Sequence, residues 1–482
     1  MVGIMKINQM RIIEKIQQKI FTRYAFAFTE KIPRIDLLEL DKYYLPEKVN
    51  RFFDTLNVQK GLSKILLDIP TASIQILFGL ILLSLYHPIF IVFGLVLVVI
   101  LYTILKLTSV KGLSSSFEES HYKYAVVAWL EEMAKVIKSF KFSQGTHFNL
   151  QKTDNNVTNY LRARTSHFKV LMFQYKTLVF FKVAITAAML VVGTSLLLSQ
   201  QLNIGEFIAA EIVILSVINA VEKLIINLDS AYDVLTGLEK LSTITESVAE
   251  KEGNITLDTE NGIDIEIKNL SFSYQQSNQI FSNLNLNLSP NQLINIYGED
   301  SSGKSTLIKL LSGSYRTFEG NILFNHIPLQ NYKLESLRKN IGIFLNQQEI
   351  FTGTVLENIH LGRTHISSNQ IIDIAKELGI EDFIKNLPDG FETIVDTAGK
   401  KLSSSLLKKI LLLRAICHQP KLLLLEEPLF GLDTRVNDKI LNYLKKYSKR
   451  NTVIVISENE IIQHICDLKI ELKNGIGTLK HS

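Results

Sequence analysis

The sequence predicts an all-α transmembrane helical domain followed by an α/β domain, and three observations carry that prediction. Long apolar runs are confined to the first half of the chain. From Ile263 onward the pattern changes to short alternating strands, turn residues and helical stretches, the signature of a mainly parallel core sheet. Within that second half, the β-prone run Leu293–Tyr297 meets Gly298, and Gly303-Lys304-Ser305 opens a helix.

Composition sets the frame. A chain of 482 residues has room for two or three domains. Its 46% hydrophobic content with a mean hydropathy of +0.16 is high for a wholly soluble protein, and the excess is concentrated in the first half. The net charge of +5 comes without a concentrated basic block, which argues against nucleic acid as a partner. Cys417 and Cys466 belong to no metal-spaced cluster and read as small buried hydrophobes in a reducing compartment. The opening MVGIMKINQMRIIEKIQQK is charged throughout, so it is not expected to act as a signal peptide.

Residues 1–64 read as amphipathic helix, with Ile13, Ile16 and Ile20 at helical spacing and Pro33 and Pro46 as interruptions. Phe21, Tyr24, Phe26 and Phe28 read as packing residues. Thr71–Tyr86 and Ile89–Leu105 follow, separated by His87-Pro88. A bilayer core needs roughly 20 helical residues, and both runs reach that length with their flanks. Residues 107–170 are polar and helical, including Trp129, Glu131 and Glu132. Val183–Ser199 and Phe207–Ile226 complete a set of four spans, placed at about 66–86, 89–107, 177–199 and 206–227.

Lysine and arginine crowd residues 1–64 and 106–182, while the links at 87–88 and 200–205 have none. By the positive-inside rule the two links lie outside, and both chain ends lie in the cytosol. Glu211 and Glu222 sit eleven residues apart on nearly one helix face, with Asn219 close by. Glu211 is a pathway candidate, because acids inside spans face polar cavities or partner chains. Lys182 and Glu222, toward the cytosolic ends, are placed either to pair or to reach the interface separately. The expected division is a helical domain at 1–240, a linker at 241–262 and an α/β domain at 263–482.

The stretch Leu293–Leu310, LINIYGEDSSGKSTLIKL, contains G-x-x-x-x-G-K-S, the phosphate-binding loop. Gly298 and Gly303 let the backbone curl so that successive N–H groups face an anion. The helix beginning at Lys304 adds the positive end of its dipole. Lys304 would reach the β- and γ-phosphates and Ser305 would offer a hydroxyl to Mg²⁺. Gly298, Ser301, Ser302, Gly303, Lys304, Ser305 and Thr306 form the expected phosphate-binding set, which makes the second half an α/β P-loop NTPase.

Further motifs stand in a fixed order: SFSY ending at Tyr274, Asn346-Gln347-Gln348-Glu349 before FTGTVLENI, Leu402-Ser403-Ser404-Ser405-Leu406, Lys421–Leu425 ending in Glu426-Glu427-Pro428, and Gly431-Leu432-Asp433. With the phosphate loop they resemble the nucleotide-binding domain of an ATP-binding cassette (ABC) transporter over residues 263–478. The spans before it resemble the later part of an ABC exporter's membrane domain. The resemblance implies that Tyr274 stacks on adenine and that Gln347 contacts Mg²⁺ and senses the membrane domain. It implies that Glu426 holds the Mg²⁺ shell, that Glu427 polarises the attacking water, and that Ser403 faces the nucleotide of an opposite subunit.

Departures from the family pattern are equally specific. Glu426 replaces an aspartate, and the signature segment keeps Ser403 but loses two glycines and a glutamine. Thr397-Ala398-Gly399 lacks a usual glutamate. The switch histidine expected after Thr452–Ile456 is replaced by Ser457-Glu458, and His464 lies six residues too far along. A carboxylate about 4 Å from a γ-phosphate opposes binding by up to about 4 kcal/mol at an effective dielectric near 20. If that repulsion grew in the transition state, roughly three orders of magnitude in rate would follow. The family has six spans per subunit against four here, so the chain is expected to lack the first two.

The reading that results is an exporter half-subunit in a bacterial inner membrane, binding ATP and Mg²⁺, with the lipid bilayer and a second half-transporter as partners. The alternative is a regulatory subunit of a heterodimer that binds ATP and hydrolyses it little. A soluble cassette ATPase is hard to reconcile with four apolar spans. No motif singles out a transported substrate.

Overall fold

The computed structural model describes residues 2–40, 44–143, 146–274, 279–346, 348–395, 403–473 and 475–480, which divide into two compact units. The first unit holds α1 (Val2–Lys31) and, after the short helix α2 (Leu37–Leu40), the long helices α3 (Asp54–Tyr86), α4 (Ile89–Lys135), α5 (Phe148–Leu198) and α6 (Ile204–Thr245). Four helices among the described residues, ending at Tyr86, Lys135, Leu198 and Thr245, are long and apolar enough to cross a membrane. Their ends follow from local chemistry. His87, constrained by the proline after it, is extended and stops α3. A reciprocal capping box starts α6: Asn203 Oδ1 accepts from Glu206 N–H at 2.8 Å, and the Glu206 carboxylate accepts from Asn203 N–H at 2.9 Å.

Helices α3 and α6 approach closely because glycines line the contact. A Cβ on Gly61 would meet Val234 Cγ2 at 2.5 Å and the Ser230 carbonyl oxygen at 3.0 Å, and one on Gly237 would meet Val58 Cγ2 at 2.8 Å. Without a side chain at these positions the two helix backbones come close together beyond the apolar spans. Several polar groups inside the bundle pair off. Gln75 Nε2 donates to Ser216 O and Oγ at 3.0 and 2.7 Å, and Gln174 Nε2 donates to Thr108 Oγ1 at 2.8 Å and Tyr232 Oη at 2.9 Å. Of the two arrangements open to Lys182 and Glu222, the fold adopts the pair, at 3.1 Å. Glu211 is half-buried and Asn219 exposed on the same helix. Phe21 and Phe28 pack edge-on against Phe52, whereas Phe26 is exposed.

The second unit comprises residues 249–482 together with 36–42. Thus α6 runs to Thr245, and the stretch after it joins the second unit, with Leu257 buried and Ile255 bridged to Tyr332. Leu37 and Leu38 of α2 pack on the same core. An antiparallel sheet is ordered β2-β1-β4-β5 from β1 (Ile265–Ser273), β2 (Gln279–Leu288), β4 (Glu319–Phe324) and β5 (Ile327–Pro328). The main sheet is ordered β10-β9-β3-β8-β7-β6. It contains β3 (Leu293–Tyr297), β6 (Ile341–Phe344), β7 (Leu422–Glu426), β8 (Thr452–Ile456), β9 (Leu468–Lys473) and β10 (Ile476–Lys480), parallel except for β10. Its middle strands read LINIY, LLLLE and TVIVI and are buried along nearly their whole length, the mark of a parallel sheet covered on both faces.

His418 follows helix α9 (Ser404–Ile416), which comes after α7 (Lys304–Leu311) and α8 (Val355–His360). Its Nδ1 faces Arg363 Nη1 at 3.2 Å and its Nε2 donates to Ile341 O at 3.2 Å. Burial, reinforced by the Arg363 charge, pushes the imidazole from 6.5 down to about 4.

Three outcomes are expected. Because His418 binds a proton more readily unfolded than folded, the cassette loses stability as pH falls from 6.5 toward 4; thermal unfolding of the full chain should show His418→Gln flattening that decline. Gly61→Ala should cost about 1–3 kcal/mol through overpacking. Gly3→Ala, with nothing within 4 Å, should be neutral or slightly stabilising.

Candidate functional site

The phosphate loop is a corner that only particular backbones can make. Gly298 has φ +147°, and a Cβ there would lie 2.0 Å from Leu472 O of the neighbouring strand. Gly303 has φ +98°, with the Phe281 ring 2.8 Å from where its Cβ would be. Between them Ser301 also takes a left-handed conformation at φ +64°, which a non-glycine residue adopts at some cost. The chain then enters α7, whose first N–H groups face the loop. Lys304 Nζ folds over this loop, donating to Gly298 O and to Glu299 O at 2.9 Å and pairing with Glu458 Oε1 at 3.2 Å.

The acidic side of the site comes from the ends of β7 and β8. Glu426 Oε1 accepts from Ser305 Oγ, and its Oε2 accepts from Asn346 N–H at 3.1 Å. Glu427 sits at φ +46°, a left-handed conformation held by its N–H donating to Ile456 O at 2.8 Å. Its carboxylate accepts from Ser457 Oγ at 2.9 Å and from Glu458 N–H at 3.2 Å. Ser457 is almost wholly buried, so Glu427 is oriented by a fixed partner. These groups line one cleft of about 460 Å³. Among the described residues that line it, Asp300, Glu426, Glu427 and Glu458 face the ammonium of Lys304.

Of the predicted phosphate set, Ser301, Ser302, Gly303, Lys304, Ser305 and Thr306 line this cleft, whereas Gly298 is not in its lining and touches it through the Lys304 Nζ contact to Gly298 O. Ser302 Oγ is buried and, among the described residues, has no hydrogen-bond partner. Tyr274 stands beside the cleft rather than in it: its hydroxyl meets Thr306 Oγ1 at 3.1 Å and its ring packs edge-on against Phe272 and Tyr315. Ser403 is elsewhere, capping α9 by accepting from Leu406 N–H at 3.2 Å. Gln347, Leu402 and Thr397-Ala398-Gly399 lie outside the described residues. The neighbouring Gln348 folds back on its own strand, donating to Ile343 O at 3.2 Å.

Several contributors escaped sequence reasoning. Ser457 holds Glu427, Asn346 N–H holds Glu426, and Arg414 on α9 ties down the segment after Gln347 through Glu349 O at 2.9 Å and Asn358 O at 2.7 Å. Lys408, also on α9, donates to Phe430 O at 2.6 Å. Burial lowers its pKa, partly offset by the charge of Glu427. The available signal was the order of apolar strands: polar residues directly after parallel neighbours must meet at one sheet edge.

Comparison with known proteins agrees with this geometry. Residues 7–221 match the model of the ABC transporter transmembrane region, and residues 281–430 match that of the ABC transporter ATP-binding cassette. A Rickettsia prowazekii protein described as an export ATP-binding/permease protein is 35% identical over 225 residues, 46% of this chain and 39% of the relative. The alpha-hemolysin translocation ATP-binding protein HlyB of Escherichia coli is 32% identical over 266 residues, 55% of this chain and 38% of that protein. The alignments therefore span about two fifths of the length of each of these relatives. A bacterial Atm1-family ABC exporter solved with ATP bound superposes with a TM-score of 0.85 at 19% identity, covering 97% of this chain and 83% of that one, which establishes the shared fold. With its apolar helices and bacterial relatives, the protein is an integral membrane protein of the inner-membrane type. The chain belongs to the ABC transporters, in the group that fuses the membrane region and the ATP-binding cassette in one polypeptide.

Proposed function

We propose that the chain is one half of an ATP-driven exporter, working as a dimer with a second half-transporter. The observation that carries this reading is the convergence of Lys304, Ser305, Glu426 and Glu427 on one cleft, at the ends of the two strands β3 and β7 that flank β8. Lys304 and the loop N–H groups bind the phosphates, and Tyr274 supplies a face for adenine. Ser305 and Glu426, hard oxygen donors already in contact, fit Mg²⁺, and the proposal adds Gln347 to that set. When bound, Mg²⁺ supplies the positive charge that a polyphosphate needs in a cleft lined by four carboxylates. Glu427, fixed by Ser457 and by its left-handed backbone, orients the attacking water and accepts its proton. Ser403 of each subunit caps the nucleotide held by the other, and closure of the two cassettes moves the spans.

Three results are expected from the full chain in lipid nanodiscs. Lys304→Ala should weaken Mg·ATP binding by about 100-fold or more, since it removes a charge-assisted contact. Glu427→Gln should lower the ATPase rate by about 10²–10⁴-fold while changing nucleotide affinity only a few-fold, as loss of a general base does. Ser457→Ala should lower kcat by about tenfold with KM nearly unchanged, because it loosens a group that acts in the transition state. Nucleotide binding with turnover insensitive to Glu427→Gln would contradict the motor reading.

A further inference from the structure

Glu458 occupies the lysine that a phosphate group would take at this loop, and is anchored beside it by a backbone N–H. Its Oε1 accepts from Gly298 N–H at 2.9 Å and pairs with Lys304 Nζ at 3.2 Å. A lysine ammonium has three hydrogens. At Lys304 hydrogens are given to Gly298 O and Glu299 O, and Glu458 Oε1 forms an ion pair with Nζ at 3.2 Å, so the cation is already engaged by its own protein. Of the three acceptors only the carboxylate carries a charge of the same sign as phosphate.

The backbone at this point is fixed while the carboxylate is free to swing. Ser457 N–H donates to Ile296 O at 3.2 Å, Asn295 Nδ2 donates to Ser457 O at 3.2 Å, and Glu458 N–H is held by Glu427. The Glu458 side chain itself is 56% exposed. A phosphate arriving at Lys304 can thus push the carboxylate aside but cannot move it far, and a like-charge contact persists within a few ångströms. The penalty falls on whichever phosphoryl group lies nearest the end of Lys304, beside Glu426 and Glu427, which is the terminal one of a triphosphate. Glu299 and Asp300, placed in the loop itself, burden diphosphate and triphosphate alike.

We infer that Glu458 is a specificity-determining residue, an internal competitor for the terminal phosphate that makes this site favour ADP over ATP relative to the same site without the carboxylate. The inference rests on the nucleotide-site reading above. It makes the cassette one that fills readily with diphosphate and closes on triphosphate only when the carboxylate is displaced.

The test is isothermal titration of the full chain in nanodiscs with Mg·ADP and with the Mg complex of the β,γ-imido analogue of ATP, which prevents turnover. Glu458→Gln keeps the side-chain shape and should tighten the triphosphate analogue by about tenfold and ADP by less than about threefold, after allowing for solvent screening of an exposed glutamate. Glu458→His should move the ratio in the same direction. Equal tightening of both nucleotides, or no change in either, overturns the inference. Lys304→Ala separates the two claims: if it leaves both affinities of the unmodified protein unaltered, the nucleotide-site reading itself fails, whatever Glu458 does.

Discussion

The site depends on three apolar strands that end level with one another. In the parallel sheet, Ile456 pairs with Ile296 on one side and with Glu426 on the other. The residues that follow each strand, Gly298, Glu427 and Ser457-Glu458, therefore emerge at one edge. A shift of register by one residue would turn every side chain to the opposite face, and burial on both faces makes such a shift expensive. Apolar packing thus sets the distances between charged groups that could not hold themselves together.

Those groups are in tension. A cleft whose described lining holds four carboxylates and one ammonium is poorly disposed to a polyanion, and the protein meets this by internal pairing. Glu426 leans on Ser305, Glu427 on Ser457, and Glu458 on Lys304. Each partner must be shared or surrendered when nucleotide and metal enter. The strained backbone at Ser301 and Glu427 belongs to the same picture, since sparsely populated conformations persist where surrounding structure overdetermines them.

Much of this was legible from residue order. The four apolar helices, the alternation of strands and helices, and the phosphate loop follow from periodicity and from glycines whose positions admit no Cβ. Glu426 and Glu427 were legible through the order and spacing of the other motifs, since a pair of acids after a strand is by itself usually a solvated turn. The partner of Glu458 was not. Repulsion from a γ-phosphate could be anticipated at that position, but its grip on Lys304 and Gly298 depends on strand register and side-chain reach across the sheet. The capping role of Ser403 was equally hidden, because a serine before a helix serves as cap or as ligand with the same local sequence. A polar connecting helix after residue 227 was legible, and the structure shows it as the uninterrupted continuation of α6 to Thr245.

The membrane unit carries the same economy of pairing, with Lys182 on Glu222 and Gln75 on Ser216 inside helices that touch through glycines. What links the account is the claim that Lys304 exchanges an internal carboxylate for a nucleotide phosphate. A cryo-electron microscopy structure of the full chain with Mg²⁺ and the β,γ-imido analogue of ATP tests it directly. The account predicts the phosphates seated against Lys304 and Ser305 with the Glu458 carboxylate turned out of the cleft. Nucleotide bound away from the loop, or seated there with Glu458 still on Lys304, would contradict it.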